Sequence, residues 1–144
     1  MQRKKKMLRR RFLPGAWKLR VGRSRTGLGL YAAEDIPRKA CIIEYIGTPV
    51  PYEEQDDHNG MYLFETGRKL MIDGNIKANI ARRINHSCAP NCEADLKDHR
   101  VYIFALRKIT AGEELNYDYG EEFFDEHIKP KGCQCTKCRK KRRR

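Results

Sequence analysis

The chain sets short apolar runs between turn residues and nowhere carries a long helical stripe. Residues 17–21 (WKLRV) alternate apolar and polar side chains, as a half-buried strand does. Residues 26–32 (TGLGLYA) continue as a strand interrupted by glycines, which mark either a bulge or a close approach of backbone to a ligand. Residues 41–46 (CIIEYI) and 101–106 (VYIFAL) are β-branched and aromatic runs, the second the clearest buried strand of the chain. Pro49 and Pro51 are expected to end the pairing after the first of these, and the acidic residues 52–58 to form a loop or one short helix. Residues 61–64 and 70–72 flank Thr66-Gly67-Arg68 as a hairpin, Asp73-Gly74-Asn75 turns the chain again, and a last run follows at 115–119. Many short strands with Gly and Pro punctuation predict a mainly β architecture.

At 144 residues the chain is long enough for one core and too short for two. No apolar run approaches the roughly 20 residues that cross a bilayer, and the basic N-terminus has no apolar segment behind it, so neither a membrane partner nor secretion is expected. An intracellular setting follows, cytoplasmic or nuclear, where six cysteines point to a metal or free thiols more than to disulfides.

The net charge of +12 is concentrated at the ends. Residues 1–11 carry seven Lys and Arg and residues 129–144 carry nine, with no acid in either. Residues 12–128 hold the other 15 against all 19 Asp and Glu, a net of −4. The basic ends read as nucleic-acid-binding arms, import signals or solubilising tails. The acidic runs at 53–57 and 121–126 are either solvated faces or a field that draws a basic peptide.

Residues 79–92 (NIARRINHSCAPNC) crowd Arg82, Asn85, His86, Ser87 and Cys88 into one short stretch. Alone, such a stretch is a turn with a core His and a small buried Cys. Its company changes the reading: Thr26-Gly27-Leu28-Gly29 precedes it, residues 113–120 (EELNYDYG) follow it, and residues 133–138 (CQCTKC) close the chain. That ordered set resembles the SET-domain protein-lysine methyltransferases, and the cysteine cluster is similar to their post-SET zinc segment. The resemblance covers residues 17–138 and implies a basic arm at 1–13, a SET domain at 14–120, a post-SET segment at 121–138 and a basic tail at 139–144. It also implies several small curved sheets, with a knot-like C-terminal crossing that composition could not show.

The same resemblance implies methyl transfer from S-adenosylmethionine to a lysine ε-amine. Thr26, Gly27, Leu28 and Gly29 match the strand that contacts the methionine moiety, Tyr62 a cofactor-packing tyrosine, and Asn85 and His86 the pair that binds the ammonium and adenine ends. Arg82 opens the family's Arg-Phe-Ile-Asn-His-Ser motif, with Arg83 here in place of the Phe. Tyr119 matches the catalytic tyrosine, Tyr45 and Tyr62 the channel walls, and Tyr117 a Phe/Tyr switch whose Tyr form implies mainly monomethyl product with some dimethyl. Cys133, Cys135 and Cys138 supply three thiolates of a structural zinc site, and the resemblance gives Cys88 as the fourth, with Cys92, His86 and His127 as alternatives. Two residues separate Cys135 from Cys138 where post-SET segments usually have four. The implied partner is a basic protein or peptide such as a histone tail, with nucleic acid as a second partner through the tails. The rival reading is a nucleic-acid or chromatin binding module with a vestigial pocket, and the presence of Tyr119 together with Asn85 and His86 discriminates against it.

Overall fold

A computed structural model describes residues 10–57, 61–67 and 69–142. Among the described residues, ten short strands build four small sheets. β1 (Leu19–Ser24) and β2 (Gly27–Ala32) form a hairpin in register from Leu19↔Ala32 to Ser24↔Gly27. β3 (Cys41–Tyr45), β8 (Cys92–Lys97) and β9 (Arg100–Ala105) form an antiparallel sheet in the order β3-β9-β8. β4 (Thr48–Pro51), β5 (Leu63–Gly67) and β6 (Leu70–Asp73) form another in the order β4-β6-β5. The expected hairpin at 61–72 is therefore present as β5 and β6, while His58 and Arg68 lie outside the described residues.

The two prolines do not end the pairing as expected. Thr48↔Asp73 through Pro51↔Leu70 pair in full, because β4 is an edge strand and the missing proline N–H groups cost no ladder bond on its open side. Residues 52–57 form a 3-10 helix, Tyr52–Asp57. β8 has no counterpart in the sequence reading, since CEADLK alternates weakly and is exposed toward its C-terminal end.

The core gathers Leu30, Ile36, Ile42, Ile84, Val101, Ile103, Ile109 and Leu115, all buried. Burying each such side chain is worth about 1.5–3 kcal/mol relative to exposure. A smaller cluster of Cys41, Tyr102 and Phe104 is covered by Phe12, whose ring meets those of Tyr102 and Phe104 edge-on at 5.5 and 5.2 Å. Arg10 lies over Phe104 and pairs with Glu93 and Asp95, so the end of the basic arm straps the sheet. Residues 1–9 and 143–144, most of the N-terminal arm and the tip of the C-terminal tail, lie outside the described residues.

The remaining sheet decides function. β7 (Asn85–His86) and β10 (Asn116–Tyr117) pair in parallel, with Asn116↔Asn85 and Tyr117↔His86. Ser87 N–H extends the pairing to Tyr117 O at 3.1 Å. Two distant motifs are thereby brought side by side. Among the described residues no helix is long and apolar enough to cross a membrane.

Candidate active site

Tyr119 lies two residues beyond the end of β10 and its hydroxyl donates to the carbonyl of Ile84. Tyr45, at the end of β3, donates to Tyr62 O at 3.0 Å. A Cβ on Gly74 would lie 2.3–2.5 Å from the Tyr45 ring and hydroxyl, so only glycine there seats this tyrosine. Tyr117 packs 4.8 Å from Tyr119, Phe64 4.9 Å from Tyr45, and Phe123 stands edge-on to Tyr119 at 5.0 Å. Burial pushes the phenols of Tyr45, Tyr117 and Tyr119 well above their ordinary value, with further elevation from neighbouring tyrosines. They stay protonated and act as hydrogen-bonding groups, not as bases.

Two cavities meet at Tyr119. The first, about 490 Å³, is walled by Thr26, Leu28, Asn85, His86 and Glu114, with Arg25, Arg83 and Lys131 at its border. The second, about 420 Å³, is walled by Tyr45, Phe64, Ile84 and Tyr117, with Glu65 and Glu126 at its border. Met61, Tyr62, Arg82, Tyr119, Phe123 and His127 line both. The first is the right size for a nucleoside-containing ligand, and the second presents aromatic faces and carboxylates to a cationic side chain.

The residues expected in the pocket divide between the two cavities, with two exceptions. Thr26, Leu28, Tyr62, Arg82, Asn85 and His86 wall the first cavity; Tyr45 and Tyr117 wall the second; Tyr119 walls both. Gly27 and Gly29 are not in either wall. Gly29 faces Glu114, whose Oε2 would lie 2.5 Å from a Cβ there. Glu114 in turn accepts from Asn85 Nδ2 at 2.8 Å, and the same nitrogen reaches Leu28 O at 3.0 Å and Ser24 Oγ at 3.1 Å. Asn85 thus ties β2 to β10. Arg82 Nη1 donates to Asn75 Oδ1 at 2.9 Å, while its buried Nε has no partner among the described residues. Arg83 makes cationic a wall where the resembling family carries a phenylalanine. Glu114 and Phe123 were not singled out in the sequence, and His127, weighed only as a metal ligand, lines both cavities; for Phe123 and His127, two aromatics flanked by acids at 121–127 were the available signal.

The thiols of Cys88, Cys133, Cys135 and Cys138 all lie within 4.8 Å of one another, Cys88 being 4.0 Å from Cys133 and 3.7 Å from Cys138. Tetrahedral zinc with Zn–S bonds of about 2.3 Å requires S–S separations of about 3.8 Å, so the four sulfurs fit that ion. The short Cys135–Cys138 spacing works because the helix Thr136–Arg142 begins directly after Cys135 and returns Cys138 one turn later, its N–H 3.4 Å from Cys135 Sγ. Burial raises the Cys88 and Cys133 thiols. Burial opposes ionisation of Cys135 too, yet backbone donors from Cys88 and Cys138 and hydrogen bonds from the neighbouring thiols outweigh it and lower that group. One stabilised thiolate beside two thiols that burial keeps protonated, with Cys138 as the fourth sulfur, is a donor set that a dication completes. The alternatives stand elsewhere: Cys92 is fully buried in the core, and His127 pairs with Glu126 at 3.4 Å and stacks on Phe123. His86 points Nε2 at Cys88 Sγ, 3.3 Å away, and accepts Tyr119 N–H on Nδ1 at 3.1 Å. Burial holds its imidazole below the ordinary histidine value, against a smaller upward pull from Asp118.

A SET-domain family model matches residues 27–120, about two thirds of the chain, and the chain belongs to that family. It is 42% identical to human "Histone-lysine N-methyltransferase 2D" over 86% of this chain and 2% of that protein. It is 42% identical to the Drosophila melanogaster "Histone-lysine N-methyltransferase trr" over 79% of this chain and 5% of that protein. Against the Saccharomyces cerevisiae "Histone-lysine N-methyltransferase, H3 lysine-4 specific" it is 40% identical over 77% of this chain and 12% of that protein. The chain therefore spans only a small part of the length of these curated relatives.

Proposed function

We propose that the chain is a protein-lysine N-methyltransferase that uses S-adenosylmethionine and acts on a basic protein, with a histone tail as the favoured substrate class. The observation that carries the reading is the junction of the two cavities at Tyr119: one face fits a nucleoside cofactor, the other a lysine side chain. The relatives' names support the reaction and, for the yeast protein, a histone H3 lysine. Tyr119, Asn85 and His86 are all present and line the first cavity together, which favours a working pocket over a vestigial one.

When bound, S-adenosylmethionine supplies a methyl on a sulfonium, and the lysine lone pair forms the N–C bond as the C–S pair returns to sulfur and the amine proton leaves to solvent. Thr26, Leu28, Asn85 and His86 would hold that cofactor. Tyr45, Tyr117 and Phe64 wall the passage where the lysine stem would lie, and their rings exclude water, which lowers the amine's pKa and favours its neutral form. Tyr119, anchored on Ile84 O, keeps its hydroxyl oxygen fixed at the junction, so that the amine and the methyl are held in line. Glu65 and Glu126 attract a basic peptide. Tyr117 sets the product toward monomethyl-lysine by retaining a water where a second methyl would sit. Cys88, Cys133, Cys135 and Cys138 hold a structural zinc that fixes residues 121–142 against the pocket. The basic ends at 1–11 and 129–144 suit phosphate contacts on chromatin, which would place the protein in a nucleus.

Titration calorimetry with S-adenosylmethionine tests the reading. Saturable one-to-one binding is expected, and a folded protein that takes up none contradicts it.

A further inference from the structure

Tyr119 lies beyond the last paired residue of β10, so the β7/β10 ladder does not fix its backbone. Its N–H is bonded instead to a side chain, His86 Nδ1, at 3.1 Å. A nitrogen that accepts carries no hydrogen, and in a neutral imidazole the hydrogen is then on the other nitrogen. That nitrogen, Nε2, lies 3.3 Å from Cys88 Sγ. The ring has no other seat: its side chain is 5% exposed and it packs against Tyr119 and Phe124 at 5.4 and 5.3 Å. The Asp118 carboxylate, 3.9 Å from Nδ1, is too far to compete for it.

We propose that His86 is a positioning residue that couples the four-cysteine cluster to Tyr119, donating from Nε2 to the Cys88 sulfur, which is a thiolate once the cluster holds its metal, and accepting the Tyr119 N–H on Nδ1. The inference rests on the reading above, in which Tyr119 aligns the reacting groups. A thiolate is a charged acceptor, and its hydrogen bond to Nε2–H is of the stronger, charge-assisted kind. It fixes the tautomer and the plane of the ring, as carboxylates and carbonyls do for histidines beside metals. With the ring fixed, the Tyr119 backbone is fixed two residues past the ladder, where the chain turns through Gly120 at φ 101°. The cysteine cluster thereby sets the position of the catalytic hydroxyl as well as tethering the C-terminal segment.

The test is nuclear magnetic resonance of the full chain, with cadmium-113 exchanged for zinc in the intact cluster. The expected result is a protonated Nε2 and an unprotonated Nδ1 on His86, with scalar coupling between cadmium and the Nε2 proton across the N–H···S bond. A hydrogen on Nδ1, absence of that coupling, or failure of the cluster to take up metal overturns the proposal. Two variants add a second readout. His86→Phe should weaken zinc about 10-fold or more in competition with a chromophoric chelator, the size usual for loss of such a partner. His86→Gln, which keeps an N–H donor near the Nε2 position, should recover most of that loss. Equal zinc affinity in wild type and His86→Phe contradicts the coupling. Calorimetry with S-adenosylmethionine on the wild-type sample reports separately on the methyltransferase reading.

Discussion

Asn91 and Asn116 clasp each other's backbone: Asn116 Oδ1 accepts Asn91 N–H at 2.8 Å, and Asn91 Oδ1 accepts Asn116 N–H at 2.9 Å. Asn91 also donates to Glu114 O at 2.9 Å and is 2% exposed. This pair sets the alignment of β10 beside the stretch that carries Asn85, His86 and Cys88. Asn91→Leu leaves the Asn116 N–H unpaired in a part-buried place, at about 1–3 kcal/mol, and leaves the Glu114 carbonyl only its longer bond from Asn116 Nδ2 at 3.4 Å. Urea unfolding should show a loss of about 1–3 kcal/mol, and a loss below about 0.5 kcal/mol would remove the clasp from the account.

Zinc should be found at one per chain by elemental analysis. Cys135→Ser should release it and loosen residues 121–142, since forming the site contributes to folding there. Cys92→Ala should retain zinc, because that sulfur is in the core and apart from the cluster, while costing some stability through the cavity it leaves. Zinc lost from Cys92→Ala and kept by Cys135→Ser would reverse the assignment.

Tyr117→Phe addresses product multiplicity. Tyr117 is nearly fully buried between Tyr119 and Phe64, so removing its hydroxyl opens room next to the amine without exposing the passage. Mass spectrometry of one peptide over time should show mainly monomethyl-lysine for the wild type and a shift to di- and trimethyl-lysine for the variant. Trimethyl-lysine as the main wild-type product would contradict this role.

The same tyrosines predict a pH dependence. Tyr45, Tyr117 and Tyr119 have folded-state pKa values raised by burial above the unfolded value of about 10. Above about pH 10 the unfolded chain loses protons that the folded one keeps, so their stabilisation is fully present below that pH and falls as pH rises, by up to about 1.4 kcal/mol per pH unit for each tyrosine. Buried Cys41 and Cys92, pushed up to about 11 and about 12, act with the same sign. Tyr117→Phe should make the alkaline slope shallower by one tyrosine's share in denaturant unfolding between pH 9.5 and 11. An unchanged slope would mean that this phenol ionises freely in the folded state.

How far the sequence carried the reading depended on whether each feature was local. The strands at 41–45 and 100–105 were plain because β-branched and aromatic runs bury themselves. β4 was lost because Pro49 and Pro51 are forbidden only in interior strands, and whether a strand is at an edge is decided elsewhere in the chain. The site motifs were legible as residue types in order. Their joints were not: Gly74 as the seat of Tyr45, Glu114 as the carboxylate behind Gly29, and His86 as the acceptor for Tyr119 N–H are relations across 29 to 85 residues. The short Cys135–Cys138 spacing looked like a departure and is resolved by a helix that starts between the two cysteines.

Transfer of labelled methyl from S-adenosylmethionine to histone H3 tests the central claim most directly, with the modified residue mapped and Tyr119→Phe run beside the wild type. The account predicts label on a lysine ε-amine. It further predicts turnover lowered about 10²-fold in the variant, the scale of a lost alignment, with calorimetric cofactor binding nearly intact. Label on no lysine by a folded, cofactor-binding wild type, or full turnover by Tyr119→Phe, would contradict it.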